Sequence, residues 1–298
     1  MAGNSLTKYI KNPQIIFFGL ARKGKLKWLP DKMFLKIGYR LTMKKKLNLK
    51  DPKALNEKLQ WLKLYDRKPE YTKMVDKYEA KRYVAERVGE KYIIPLLGVW
   101  DSFDEIDFDS LPDQFVLKCT HDCGGLVICQ DKSNLDLEAA NKKISRSLKN
   151  NYYWQSREWP YKNVKPRIIA EKYMVDESGT ELKDYKVMCF HGEPKIIQFH
   201  KGRYGDHTQD FYSAEWEKYD IYQGCPQTEG AIEKPAFLEE MLAVSRELSK
   251  DIPCVRADWY CVDGQLYFGE LTFFDASGFC AYEPEEWDYT FGSWVNLK

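Results

Sequence analysis

Two regimes of apolar spacing divide the chain. Between residues 51 and 100 the spacing is helical. Leu55, Leu59, Leu62 and Tyr65 recur every three or four positions, which predicts a helix over 54–65. A second amphipathic stretch runs from Asp76 to Val88, and Gly89 stands where a helix would stop. Residues 92–100 form a short apolar run bounded by turn residues, which predicts a strand. From 111 onward strands dominate. Residues 114–119 and 126–129 flank Asp122-Cys123-Gly124-Gly125 and read as a hairpin. A helix follows over 137–148, then an aromatic loop over 152–160 and a strand over 167–174. Residues 184–190 and 195–199 surround His191-Gly192-Glu193-Pro194 as a second hairpin. After a helix over 235–248, residues 254–261 and 265–272 make a third hairpin, turned by Asp263-Gly264. Antiparallel hairpins mixed with helices predict an α+β fold.

Composition narrows the class. Apolar residues at 44% and aromatics at 15% over 298 residues predict a substantial core and argue against disorder. The apolar stretch 15–21 has seven residues, and no run approaches the roughly 20 that a membrane-spanning helix needs. It also lacks the cleavage pattern of a secretory leader. The eight cysteines lie partly inside apolar runs such as Val187-Met188-Cys189-Phe190, where Cys acts as a small hydrophobe. That usage predicts a reducing, cytoplasmic setting. Cys119 and Cys123 have no second pair at zinc spacing.

The net charge of +1 conceals a split. Residues 1–50 hold thirteen lysines and arginines against one acid, Asp31, a balance of +12. The rest carries 33 basic and 44 acidic residues, a balance of −11. Such asymmetry points to a polyanion or an anionic membrane surface at one end. No nucleic-acid-binding motif is present, so nucleic acid is not the expected partner. The segment reads either as short helices resting on an anionic surface or as a basic face packed on the body.

Candidate chemistry concentrates in the third hairpin. Arg256 and Asp258 share one strand face, as do Glu270 and Thr272 on the partner strand. Pairing across the turn can bring the two carboxylates together. Hard oxygen ligands of this kind suit Mg²⁺ held jointly with phosphates; an exposed ladder with an ordinary salt bridge is the alternative. In the first hairpin Lys118 precedes a Gly-Gly turn whose amides could cradle phosphate oxygens. Neither a P-loop nor a dinucleotide-binding fingerprint occurs.

In chain order the pieces are Phe115-Val116-Leu117-Lys118, Ile169-Ala170-Glu171-Lys172-Tyr173, Asp184-Tyr185-Lys186-Val187, His200-x-x-Arg203-Tyr204, Phe211-Tyr212, Val255-Arg256-Ala257-Asp258-Trp259-Tyr260 and Gly269-Glu270-Leu271-Thr272-Phe273. This order resembles the ATP-grasp superfamily, and within it the TupA-like (teichuronopeptide biosynthesis protein-like) family, over about 50–298. The resemblance implies two α+β subdomains that sandwich ATP. Residues 1–50 would be a basic helical extension, 51–110 a helical lead-in, 111–174 the lid subdomain and 175–298 the subdomain with the Mg²⁺ site. Lys118 would hold ATP phosphates, with Lys186 a possible second contact. Residues Glu171, Lys172, Tyr173 and Met174 would line the adenine and ribose. Asp258 and Glu270 would hold Mg²⁺. Thr272 stands where the family commonly has Asn and would be a weaker ligand. Arg256, with Lys118, would act in catalysis on the transferring phosphoryl group.

The implied activity is an ADP-forming ligase that joins a carboxylate to an amine through an acylphosphate. Its implied acceptor is a uronic acid of a capsular or lipopolysaccharide glycan, amidated by an amino acid or small amine. His200, Arg203 and His207 could grip that anion, and Ser277 and Gly278 could offer it backbone donors. The aromatic loop would stack on sugar or simply pack. A peripheral site on the inner membrane face would suit residues 1–50. A sugar-nucleotide glycosyltransferase is the competing reading, because Asp258-x-Tyr260 and Asp206-x-Thr208 can pass for metal-binding pairs. The lack of a β-α-β run with glycine turns counts against it. A non-catalytic surface-binding module is the third reading, and it gives the charged hairpin no purpose.

Overall fold

The structure, a computed structural model, describes residues 12–179, 181–202 and 205–297. Two N-terminal helices, α1 (Pro13–Arg22) and α2 (Asp31–Met43), precede α3 (Leu55–Tyr65), α4 (Glu70–Val75) and α5 (Glu79–Val88). The Glu57 carboxylate accepts from the Lys53 and Ala54 amides and so starts α3. Gly89, at φ 111°, ends α5 with its amide on the Ala85 carbonyl.

A small antiparallel sheet follows, built from β1 (Leu96–Trp100), β2 (Phe115–Cys119), β3 (Leu126–Cys129) and β4 (Ile168–Lys172) in the order β1-β4-β2-β3. Helix α6 (Leu137–Leu148) covers it, capped by Asp136 accepting from the Ala139 amide at 2.9 Å. Phe115, Leu117, Ile144 and Ile168 are fully enclosed between them. This sheet draws in β1, N-terminal to residue 111.

The stretch expected as an aromatic loop contains a helical turn, α7 (Tyr153–Ser156), and a 3-10 turn over Trp159–Asn163. Tyr153 and Tyr161 are buried, so this loop packs against the body.

The large sheet comprises β5 (Asp184–Phe190), β6 (Glu193–Lys201), β7 (Thr208–Ser213), β8 (Lys218–Tyr219), β9 (Cys254–Val262) and β10 (Gln265–Thr272), ordered β10-β9-β5-β6-β7-β8 and antiparallel throughout. Helix α8 (Leu238–Ser249) packs on one face, where the Trp259 indole donates to the Ser245 hydroxyl. Helix α9 (Glu286–Ser293) closes the chain against α3. The turn between β5 and β6 is shorter than expected, because His191 and Gly192 both take positive φ and close it in two residues. A register shift at Met188/Cys189 lets Pro194 sit in the strand.

Residues 12–50 fold onto this body. Ala21, Leu29, Phe34, Leu35, Tyr39 and Leu47 form a core of their own, with Phe279 packed against it. Asp31 anchors the segment: it takes Arg67 at 2.8 Å, Arg157 at 3.1 Å and the Tyr153 hydroxyl at 2.6 Å. Arg157 is fully enclosed and also donates to the Leu26 and Leu29 carbonyls.

Candidate active site

The two faces of the large sheet differ. Val187, Cys189, Val255, Ala257 and Trp259 belong to the apolar core. On the opposite face, alternate positions place Asp184 and Lys186 on β5, Gln198 and His200 on β6, and Arg256 and Asp258 on β9. All but Arg256 are buried. A buried polar face of this kind survives only when its groups satisfy one another or a ligand.

A bulge completes it. β9 and β10 pair from Gln265↔Val262 to Phe268↔Trp259, then resume at Glu270↔Asp258 after Gly269. A regular ladder would set Gly269 opposite Asp258 and turn Glu270 toward the core. The extra residue re-aims Glu270 onto the polar face. Gly269 fits because a Cβ there would lie 3.0 Å from the Tyr260 ring and 3.2 Å from the Asp258 carbonyl oxygen.

Arg256 clamps Asp258 in bidentate fashion, at 2.7 Å from Nε and 2.8 Å from an Nη. Its other Nη donates to Asp275, and Lys186 donates to Asp258. Burial pushes the Asp258 carboxyl up, but Arg256 and Lys186 more than offset this and hold it at about 2. Asp275 is likewise held below its usual range, burial being outweighed by Arg256, Gln223 and Gln198. Glu270 lies 3.9 Å from Arg256 and 3.8 Å from Lys77.

Lys118 projects from β2 and meets Glu171 at 2.6 Å; Lys81 of α5 meets the same carboxylate at 2.6 Å. Burial raises the Glu171 carboxyl, yet the two lysines bring it to about 2. Glu171 therefore fixes Lys118. Lys77 joins the two sheets, donating at 2.6 Å to the Asp122 carbonyl in the β2–β3 turn while facing Glu270.

Two adjoining cavities meet at Lys118, Asp184 and Tyr260. One, of about 530 Å³, has apolar walls that include Val116, Ile128 and Met174, with Glu171, Lys172 and Tyr173 at its side. The other, of about 390 Å³, is polar and holds Lys77, Lys186, Arg256, Asp258 and Glu270. The first suits a flat heterocycle, the second a string of phosphates.

The structure brings Lys118, Glu171, Lys172, Tyr173, Met174, Lys186, Arg256, Asp258 and Glu270 to this one cleft. Thr272 turns its hydroxyl between Arg256 and Glu270, 3.3 Å from each. His200 lines the polar cavity, and His207 backs it, with 3.0 Å between His200 Nδ1 and His207 Nε2 and Cys225 3.5 Å beyond. Arg203 lies outside the described residues. Ser277 is spent elsewhere: its amide donates to the Phe274 carbonyl, its hydroxyl to Glu158, and its carbonyl accepts from Lys63. Gly278 packs on Gln60 and Leu59. The cavity wall at that point is Asp275, Ala276 and Cys280.

Sequence reasoning assigned no role to Lys77, Lys81, Gln198 or Asp275. Asp275 left one signal, a carboxylate in the apolar run Phe273-Phe274-Asp275-Ala276 directly after the carboxylate strand.

Asp258 and Glu270 fit a Mg²⁺ ion. They are facing carboxylates on one polar wall, and no group of three or more His, Cys, Asp or Glu among the described residues forms a dedicated cage. Such a pair suits a cation whose remaining ligands are phosphates and waters.

The sequence profile of the family described as TupA-like ATPgrasp matches residues 57–296. Among curated proteins none matches the chain. Similar solved structures include D-alanine–D-alanine ligase from Bacillus anthracis complexed with ATP, at 17% identity and TM-score 0.41, over 67% of this chain and 53% of that one. The Helicobacter pylori D-alanine–D-alanine ligase gives 13% identity and TM-score 0.42, over 75% and 63%. The ATP-grasp ligase PsnB complexed with a minimal precursor gives 10% identity and TM-score 0.40, over 72% and 59%. The chain thus spans less than two thirds of the length of each.

Proposed function

Because the chain belongs to the TupA-like ATP-grasp family, we propose that it is an ADP-forming carboxylate–amine ligase whose acceptor is a uronic acid of a cell-surface glycan. The observation that carries the reading is the bank of cations interleaved with carboxylates where the two cavities join. Adenine and ribose occupy the apolar cavity beside Lys172, Tyr173 and Met174. The phosphates run toward Lys118, Lys186 and Arg256, which exchange their carboxylate partners for phosphate oxygens. Asp258 and Glu270 would hold Mg²⁺, which would neutralise phosphate charge there.

The acceptor carboxylate oxygen attacks the γ-phosphorus and the bond to the β-phosphate oxygen breaks, releasing ADP. Arg256 stabilises the charge on the transferring group. An amine then attacks the acylphosphate carbonyl. Inorganic phosphate departs, the nitrogen loses a proton and an amide remains. Catalysis here is mostly positioning and charge neutralisation, since the acylphosphate is already activated.

The acceptor lies at the far end of the polar cavity, where His200, Gln209 and Gln223 offer hydrogen bonds to a polyhydroxylated acid. The glycan assignment rests on the family likeness. On that reading the enzyme works in capsular or lipopolysaccharide assembly, on the cytoplasmic side where ATP is available. Among the described residues no helix is long and apolar enough to cross a membrane.

Incubation with ATP, Mg²⁺, uronic-acid saccharides and a mixture of amines tests this. The expected products are an amide, seen by mass spectrometry, together with ADP. Thermal stabilisation by UDP-sugars and none by ATP with Mg²⁺ would sink the ligase reading. Asp258→Asn and Glu270→Gln should each abolish turnover.

A further inference from the structure

Residues 12–50 carry more apolar surface than their own packing uses. Helix α2 buries Phe34, Leu35, Gly38 and Tyr39 on one face. Met33, Ile37 and Leu41 form a second stripe at four-residue spacing on another face. Met33 is 53% exposed and Ile37 37%. With Leu47 they line a groove of about 450 Å³ whose remaining walls are Lys36, Arg40 and Lys46. Beside it, α1 turns Phe17, Phe18 and Ala21 inward and leaves Ile16 and Leu20 outside, and Trp28 in the connection is 75% exposed.

This concentration is local. Of thirteen large apolar side chains exposed among the described residues, six belong to residues 12–50. Scattered exposed apolar residues are normal, but a clustered set marks an interaction surface.

The charges say what kind of surface covers it. Residues 12–50 contain eleven cations. Among the described residues only Lys45 of these reaches a carboxylate, Glu285. The segment's single acid, Asp31, faces inward to Arg67 and Arg157. The groove therefore sits in an uncompensated positive field. A second copy of the chain would bring the same cations. Residues 1–11 bring Lys8 and Lys11 and no acid. A nucleic acid or an acidic glycan answers the charge but leaves Met33, Ile37 and Trp28 wet. An anionic bilayer answers both, with headgroups against Lys36, Arg40 and Lys46 and the apolar side chains in the acyl boundary.

We propose that α1, α2 and the connection between them form a docking surface for an anionic lipid bilayer, seated on the groove of Met33, Ile37, Leu41 and Leu47. The surface is built into the fold by Asp31 and is independent of the catalytic reading.

Flotation of the full chain with phosphatidylcholine vesicles, alone or mixed with phosphatidylglycerol, tests this. The chain should float with the mixed vesicles and not with the neutral ones. Replacing Lys36→Gln with Arg40→Gln should weaken binding roughly 30-fold, at about fivefold per cation. Replacing Met33→Ser with Ile37→Ser should weaken it by roughly tenfold or more. Both pairs are exposed, so the thermal midpoint should hold. Absence of binding to mixed vesicles, or equal binding to neutral ones, overturns the proposal. So does a binding loss from the charge pair alone, which marks a general polyanion site. If removing residues 1–11 creates binding that the full chain lacks, that segment is the occupant and the bilayer is not.

Discussion

Arg256 has its place in the cleft because two carboxylates pull on it from different directions, Asp258 across its own strand and Asp275 from the turn beyond β10. Gln198 and Gln223 each donate to Asp275 at 3.1 Å and hold it in turn. Asp275→Asn keeps the shape and removes the charge. It should lower kcat by roughly 10- to 100-fold, as loss of a partner behind an active group does, while the KM for ATP changes little. Steady-state kinetics check this, and an unchanged kcat would remove Asp275 from the positioning of Arg256.

Lys63 shows a second residue-scale effect. It is fully enclosed, donates to the Ser156 and Ser277 carbonyls and lies 4.6 Å from the Phe279 ring centre. Burial lowers it to about 7, against an upward pull from Glu158. Its folded value is below its unfolded one. Between about pH 7 and the ordinary lysine range near pH 10.5, the unfolded chain binds the extra proton, so stability from this group rises with pH. Against Lys63→Met, the wild type should gain stability across that window in denaturant melts. A flat difference would contradict the burial.

Arg256 and Asp258 were legible as one face because strand period places alternate residues together; Glu270 joins them only through the bulge at Gly269. Asp275 and Lys77 were not, since an irregular turn and the connection between α4 and α5, nearly two hundred residues away, supply them. Ser277 and Gly278 looked like free backbone donors in sequence. The Ser277 amide is instead taken by the Phe274 carbonyl and its hydroxyl by Glu158, while Gly278 has its carbonyl bound by Gln60, neighbours that only the fold reveals.

At the scale of elements, the bulge at Gly269 is what turns two ordinary strands into a carboxylate pair. Counting outward from the Asp263-Gly264 turn gives a ladder one residue out of register, and nothing in the local pattern marks the slip. Gly269→Val would push a branched side chain into Tyr260 and the Asp258 carbonyl. It should cost about 1–3 kcal/mol by overpacking and, by turning Glu270, cut ATP turnover far more than the melting shift explains. Full turnover in the variant would contradict this use of the bulge.

The helices α3, α5 and α6 and the strands of the three hairpins followed from periodicity and caps. β7 did not. Gln209, Asp210, Phe211, Tyr212 and Ser213 are all buried, so both faces are covered and the alternation that signals a strand is erased. The aromatic stretch at 152–160 read as a loop because no period runs through it, and its burial comes from distant partners.

At the scale of the molecule, the charge split turns out to be built rather than appended. The one acid of residues 1–50, Asp31, is the residue that fastens residues 12–50 to the body, through Arg157 and Arg67. Asp31→Ala would leave Arg157 enclosed without its carboxylate. Breaking such a pair typically costs about 3 kcal/mol or more, so the melting temperature should fall by several degrees in calorimetry. A variant as stable as the wild type would mean that the segment is merely laid on the surface.

The central claim is that phosphate passes from ATP to a carboxylate oxygen, and an isotope follows that oxygen. With a uronic-acid saccharide labelled with ¹⁸O in its carboxylate, ATP, Mg²⁺ and an amine, the inorganic phosphate released should carry one ¹⁸O beside unlabelled ADP. Unlabelled phosphate, or label in AMP, would contradict transfer through an acylphosphate in this cleft.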